Sequence, residues 1–168
     1  MGPHRYLIAL GSNVRHHRHG RPERVIRAAL AALEEAGVEV TRASDIIATA
    51  PLGPPGRQYA NAVVAVEAPS DPPALLALLK AVERRFGRRR GKRWGPRVLD
   101  LDVVLWDGGC WSSPGLTIPH IAFRERAFVL APAKAIAPLW RDPLTGQTLR
   151  QLHFHVGRRL TRPAPLPR

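Results

Sequence analysis

Leu99-Asp100-Leu101-Asp102-Val103-Val104-Leu105-Trp106 is the stretch on which the reading of this chain turns. Together with Val98 it reads as a strand over 98–106. Side chains alternate along a strand, so Asp100 and Asp102 share one face while Leu99, Leu101, Val103 and Leu105 share the other. Two carboxylates side by side in an apolar strand repel each other and resist burial. A hard divalent cation with bound phosphate removes that conflict. The plainer alternative is a solvated pair at a strand mouth, or one matched by nearby arginines.

The residues just upstream bear on that choice. Arg84, Arg85, Arg88, Arg89, Arg90, Lys92, Arg93 and Arg97 crowd into one short segment. A guanidinium offers a planar fork that grips phosphate oxygens in pairs. Gly87, Gly91 and Gly95 give the loop freedom to fold over a ligand, with Trp94 available to stack or to act as a lid. Alone, the loop reads as solvated basic surface. Because it leads straight into the acidic pair, it reads better as half of a metal–polyphosphate site.

Working outward, the order of elements sets the fold. Tyr6 to Leu10 is a buried strand that stops at Gly11-Ser12-Asn13. Pro22 to Ala36 is a helix, with Pro22 suited to its first turn and Gly37 to its end. Val38 to Ile47 and Ala62 to Val66 are strands, separated by a loop at Ala50 to Gly56 that its prolines keep irregular. Pro72 to Phe86 is a second helix. After the 98–106 strand come a loop over Pro119 to Arg124, a helix within Glu125 to Ile136 and a short helix over Leu149 to Val156. This is a βαββαβ pattern, an α+β antiparallel sheet flanked by helices. A single domain is expected over 1–160, with a frayed tail over 161–168.

Composition narrows the partners. The chain has 168 residues, 45% of them hydrophobic, and a formal net charge of +13 from 26 basic and 13 acidic side chains. That excess favours polyanions: nucleic acid, an anionic membrane or a phosphate-rich ligand. A general taste for arginine explains part of it. One cysteine, Cys110, allows no intrachain disulfide. The start carries no apolar run of a signal peptide and no stretch is long enough to span a membrane, so a cytoplasmic protein is expected. His16, His17 and His19 could bind a metal but read better as an exposed basic loop. Familiar nucleotide motifs are absent: residues 87–93 miss the P-loop spacing, and Arg93 stands where it needs Ser or Thr.

Two further segments stand out. Tyr59-Ala60-Asn61 precedes an apolar strand, where Asn61 could either read a heterocycle through its amide or cap the strand. Pro119-His120, with Arg126 and Phe128, supplies a possible anion contact, a second arginine and an aromatic ring.

Taken together, these segments resemble the 6-hydroxymethyl-7,8-dihydropterin pyrophosphokinase family. The likeness runs from Leu10-Gly11-Ser12-Asn13 to Ile136-Ala137-Pro138, and is most specific in Arg93-Trp94-Gly95-Pro96-Arg97-Val98-Leu99-Asp100-Leu101-Asp102. Pro51-Leu52-Gly53, Glu83 with Gly87-Arg88, and Leu116 to His120 support it. The resemblance implies a ferredoxin-like fold. It also implies a reaction in which ATP, as co-substrate, gives its β,γ-pyrophosphoryl unit to the pterin hydroxymethyl group and AMP leaves. By the family's pattern Asp100 and Asp102 bind two Mg2+ ions. Arg88, Arg97, His120 and Arg126 contact the ATP phosphates, with Arg93 and Thr117 near the nucleotide. Thr49, Leu52, Tyr59, Asn61 and Phe128 line the pterin pocket, and Trp94 closes over it. The chain departs from the pattern at Ala50, Lys80, Gly115 and Ile121, which bears on details of the nucleotide contacts. A monomer with small-molecule partners is expected, with no membrane and no nucleic acid. The rival readings are a basic nucleic-acid-binding protein without activity and an inactive relative that serves as a scaffold.

Overall fold

The computed structural model describes residues 2–50, 57–87 and 98–160. Its main sheet is antiparallel throughout. β1 (His4–Ser12) lies between β4 (Tyr59–Ala68) and β5 (Asp100–Trp106), and β2 (Glu39–Ala43) and β3 (Ile47–Thr49) both pair with β4 on its far side. Counting β2 and β3 as one interrupted strand gives the βαββαβ order of the ferredoxin-like fold.

The expected strand over Val38 to Ile47 is therefore two strands. Between them Ser44 holds the line: its backbone N–H donates to the Val63 carbonyl and its hydroxyl accepts from the Val63 N–H, both at 3.0 Å. The side chain replaces a ladder bond, so regular pairing breaks without the chain leaving the sheet. β1, in turn, runs past Leu10 to Ser12 instead of stopping at the glycine.

Helix α1 (Pro22–Glu35) and helix α2 (Pro72–Arg85) start with proline in the first turn and stop where Gly37 and Gly87 adopt positive φ, as the sequence signals suggest. Asp71 caps α2, its carboxylate accepting from the Ala74 N–H at 2.9 Å. Both helices cover one face of the sheet, packing Val25, Leu33, Leu75 and Leu79 against Ile8, Leu10, Val64 and Leu101. Helix α3 (Ala127–Ile136) and helix α4 (Leu149–Leu160) cover the other, packing Leu130 and Leu152 with Leu7, Val63 and Leu105.

Leu105 corrects one expectation. β5 shifts register against β1 between Leu7 and Ile8: Val103 sits opposite Ile8 and Leu105 opposite Leu7, leaving Val104 as an extra residue. This bulge breaks the alternation. Leu101 and Val103 face α1 and α2, whereas both Val104 and Leu105 face α3 and α4. The bulge lies C-terminal to the acidic pair, so Asp100 and Asp102 keep a common face.

A hairpin of β6 (Trp111–Ser113) and β7 (Leu116–Ile118) follows. It was not anticipated. The loop expected over Pro119 to Arg124 contains the start of a single 3-10 turn, Phe123–Glu125, and α4 extends four residues past Val156 to Leu160. The loop at 51–56, the arginine-rich loop at 88–97 and the tail lie outside the described residues, apart from their flanks.

Candidate functional site

Four strands bring one lateral row of residues together. Ile47 on β3, Asn61 on β4, Gly11 on β1 and Asp100 on β5 are in register. Their shared face is that of Asp102, which sits opposite Ala9. Asn61 is 7% exposed. Its Nδ2 donates to Thr49 Oγ1 at 2.6 Å, which fixes the amide orientation and turns Oδ1 back over Gly11. A β-carbon built on Gly11 would lie 3.3 Å from that Oδ1. The glycine is thus required for room rather than for its dihedral angles. Asn61 and Asp100 stand two strand spacings apart, ~9–10 Å, with no side chain on the residue between them. Tyr59 pairs with Thr49 at the same end of β4.

A second group gathers around Asp102. His120 Nε2 lies 4.0 Å from Asp102 Oδ2. Backbone bonds place that ring: the His120 N–H donates to the Val104 carbonyl at 3.0 Å, pinning the loop to β5 at its bulge. His120 Nδ1 accepts from the Ala122 N–H at 3.2 Å, so the neutral ring carries its proton on Nε2, directed toward Asp102. Asp102, His120, Phe123 and Arg126 line one small cleft with Ala9 and Val129. The Arg126 guanidinium lies 5.8 Å from the centre of the Phe128 ring, joining two residues expected to serve different substrates.

The electrostatics follow from this packing. Burial pushes the Asp102 carboxyl above the ordinary carboxylate range and the Asp100 charge adds to the rise, against the opposing pull of His120, Lys80 and Arg126. Burial holds the His120 imidazolium below its usual pKa, with Arg126 also opposing its charge, against the favourable pull of the carboxylates. The charged form of Asp102 is therefore held at a cost that added positive charge would relieve.

That donor set fits magnesium. Among the described residues no group of three or more His, Cys, Asp and Glu side chains gathers as a metal cage. Magnesium does not need one, because it is commonly bound through one or two carboxylates, waters and the oxygens of a polyphosphate. Asp100 and Asp102 on one face could hold it in that way.

The positions behind the pair were less visible in the sequence. Glu83 on α2 is fully buried. Its Oε1 accepts from the Leu101 N–H at 2.8 Å and from Lys80 Nζ at 2.9 Å. A side chain from the opposite layer thus satisfies the outward-facing N–H of β5 between the two aspartates. Asp142, fully buried, and Arg124, partly exposed, form a second pair. The Asp142-Pro143-Leu144-Thr145-Gly146 turn was the available signal for it.

Thr117 is exposed on β7, three residues before His120. Leu52, Arg88, Arg93, Trp94 and Arg97 lie outside the described residues. In the histidine loop His17 is exposed, as expected, His19 is half-buried, and only His16 departs from expectation. His16 is buried, stacks between His17 and His19 at 4.3 and 4.8 Å, and its Nδ1 accepts from the Arg18 and His19 N–H groups. The stack runs on to Phe86 at the end of α2.

The fold defines a class first. A solved structure of Plasmodium falciparum HPPK-DHPS, a triple mutant, superposes over 94% of this chain with a TM-score of 0.74 at 13% identity. This chain spans 45% of that one, less than half its length. Sequence then gives the particular family. Residues 7–138 match the 7,8-dihydro-6-hydroxymethylpterin-pyrophosphokinase family. The 2-amino-4-hydroxy-6-hydroxymethyldihydropteridine pyrophosphokinase of Synechocystis is 39% identical over 150 residues, covering 89% of this chain and 74% of the relative. The enzyme of the same name from Pseudomonas aeruginosa is 38% identical over 141 residues, covering 83% and 84%. The chain belongs to this family.

Proposed function

We infer that this chain transfers the pyrophosphoryl group of ATP to the hydroxymethyl group of 6-hydroxymethyl-7,8-dihydropterin, a step of folate biosynthesis, and releases AMP. Family membership supports the reaction. The observation that carries it to residues is the row Asn61–Gly11–Asp100, which sets an amide reader and a carboxylate on either side of a side-chain gap.

The division of labour runs along that row. Asn61, oriented by Thr49, reads the pterin ring, with Tyr59 and Phe128 as apolar walls and Leu52 and Trp94 completing the pocket. The hydroxymethyl arm then points along the sheet toward Asp100 and Asp102. His120 offers its Nε2–H and Arg126 its guanidinium to the triphosphate, joined by Arg88, Arg93 and Arg97 from the basic loop, with Thr117 near the nucleotide. Asp100 and Asp102 would hold two magnesium ions, which when bound would supply positive charge against the phosphates and Lewis-acid polarisation. In the step itself the hydroxymethyl oxygen bonds to the β-phosphorus, the bond from that phosphorus to the α,β-bridging oxygen breaks, and AMP departs with the electron pair. The hydroxyl proton passes to solvent, since no described side chain is placed as a dedicated base. His120 and Arg126 act where negative charge accumulates, on the departing α-phosphate. Small-molecule partners, a monomeric state and a cytoplasmic setting complete the reading. Among the described residues no helix is long and apolar enough to cross a membrane.

The test is an assay with ATP, magnesium and the hydroxymethyl dihydropterin, following AMP. AMP release in step with pterin consumption is expected, and ADP in its place would mark an ordinary kinase. Asp100→Ala and Asp102→Ala should each lower turnover by several orders of magnitude with the fold retained. Near-normal activity in either would remove the metal assignment.

A further inference from the structure

The loop that carries His120 and Arg126 is short and makes a single 3-10 turn, yet both side chains must meet the same small cleft. Its midpoint holds an interaction that the reaction does not use directly. Arg124 forms a two-point bond to Asp142: Nε donates to Oδ2 at 2.6 Å and an Nη to Oδ1 at 2.7 Å. Asp142 is fully buried, and its remaining acceptor capacity takes the Leu144 N–H at 3.1 Å and the Thr145 hydroxyl at 2.7 Å. The same guanidinium lies over the Phe123 ring, 4.7 Å from its centre, and Phe123 lines the cleft beside Asp102, His120 and Arg126.

Asp142 is itself held firmly. It sits in the connection between α3 and α4, where its N–H donates to the Gln147 carbonyl and its carbonyl accepts from the Gly146 N–H. The connection is tied in turn to the start of α4: the Leu149 N–H donates to the Trp140 carbonyl and the Arg150 N–H to the Pro138 carbonyl. A two-point guanidinium–carboxylate bond fixes angle as well as distance. One end of this one is anchored in the α3–α4 connection and the other lies in the middle of the 120–126 loop. A surface ion pair would not need a carboxylate with all its acceptor sites filled and no exposure.

We propose that Arg124 and Asp142 are positioning residues for the nucleotide half of the site. Through Phe123 and the 3-10 turn they set where His120 and Arg126 meet the ATP phosphates, without touching substrate themselves. Most of the pterin half, Thr49, Tyr59 and Asn61, stands on β3 and β4 away from the pair, and only Phe128 at the start of α3 adjoins the loop that the pair holds. The inference rests on the phosphate-binding reading of His120 and Arg126, and the experiment separates the two.

Binding of a non-hydrolysable ATP analogue with Mg2+ is measured by calorimetry, and binding of 6-hydroxymethylpterin by fluorescence. The variants are Asp142→Asn, Arg124→Gln, Arg124→Lys and, as reference, Arg126→Ala. Each is studied at a temperature where circular dichroism shows it folded. Asp142→Asn and Arg124→Gln are expected to weaken the nucleotide analogue about tenfold while pterin affinity moves less than twofold. Arg124→Lys keeps the charge but loses the fork, and should recover only part of the loss. Should Asp142→Asn fail to fold, Arg124→Lys and Arg124→Gln decide the matter. Unchanged nucleotide affinity, or equal losses for both ligands, overturns the proposal. If Arg126→Ala leaves nucleotide affinity intact, it is the phosphate-site reading that falls.

Discussion

A methyl group added at Gly11 would stand 3.3 Å from Asn61 Oδ1, closer than most β-carbons come to any neighbour, and the amide has little freedom to yield. It is held from the other side by Thr49, and the carboxamide must stay planar. Gly11→Ala should therefore rotate or displace the Asn61 amide while leaving the strand intact, because this glycine is not among those with positive φ. The expected outcome is a KM for the pterin raised about tenfold, a KM for ATP within a factor of two, and a melting temperature within a few degrees of the parent. A variant with normal pterin kinetics would show that the amide is not the pterin reader. The sequence exposed Asn61 and Asp100 as residues of interest but could not show that Gly11 separates them. It read as a turn, since Gly-Ser-Asn is turn chemistry, and only the pairing of β1 with both neighbours turns it into a gap in a row of side chains.

At the scale of elements, the connection between α3 and α4 depends on one buried charge. Burial acts to raise the Asp142 carboxyl, but hydrogen bonds from Arg124, Thr145 and Leu144 outweigh it and hold the group below the ordinary carboxylate range. A depressed folded-state pKa means that the carboxylate stabilises the fold fully above the unfolded value of about 4. That contribution is lost as pH falls through the folded pKa. Asp142→Asn should cost about 2 kcal/mol at pH 7, the scale of hydrogen bonds to a buried charge whose partner, Arg124, is partly exposed. Urea unfolding at a series of pH values should find the gap between parent and variant constant down to about pH 5 and narrowing below about pH 4. A gap independent of pH would show that Asp142 is not the charged partner. This pair was hard to see in advance because Arg124 and Asp142 belong to separate segments, each with ordinary local chemistry. β5 shows the same division. Its alternation placed both aspartates on one face, and the structure keeps them there. The bulge at Val104 left no mark, because no glycine or polar residue signals it and a valine fits either layer. The helices were the easiest elements to place, since proline at their starts and glycine at their ends act locally.

For the whole molecule, the charge distribution tests the choice between a nucleotide enzyme and a binder of nucleic acid. The net charge is +13, and from Arg126 to Arg168 the only acidic residue is Asp142, which is buried and paired. Such a surface attracts any polyanion at low salt. What it lacks as a nucleic-acid reader is consistency of sign: the cleft that gathers His120 and Arg126 also gathers Asp102, with Asp100 on the same sheet face. A phosphate backbone approaching that cleft meets two carboxylates and is repelled, whereas a polyphosphate arriving with its own divalent cations is not. Counterion release makes non-specific nucleic-acid binding fall steeply, as a power of the salt concentration whose exponent grows with the number of phosphates contacted. ATP engages few phosphates through a confined site, so its affinity should fall far less over the same range. Labelled DNA and RNA titrated at low and at physiological ionic strength, beside turnover measured under the same conditions, separate the two. Nucleic-acid binding should be visible at low salt and lost by physiological salt, with AMP release continuing and insensitive to the added strand. Tight binding that survives physiological salt and abolishes turnover would mean that the basic surface, and not the carboxylate row, sets what this protein binds.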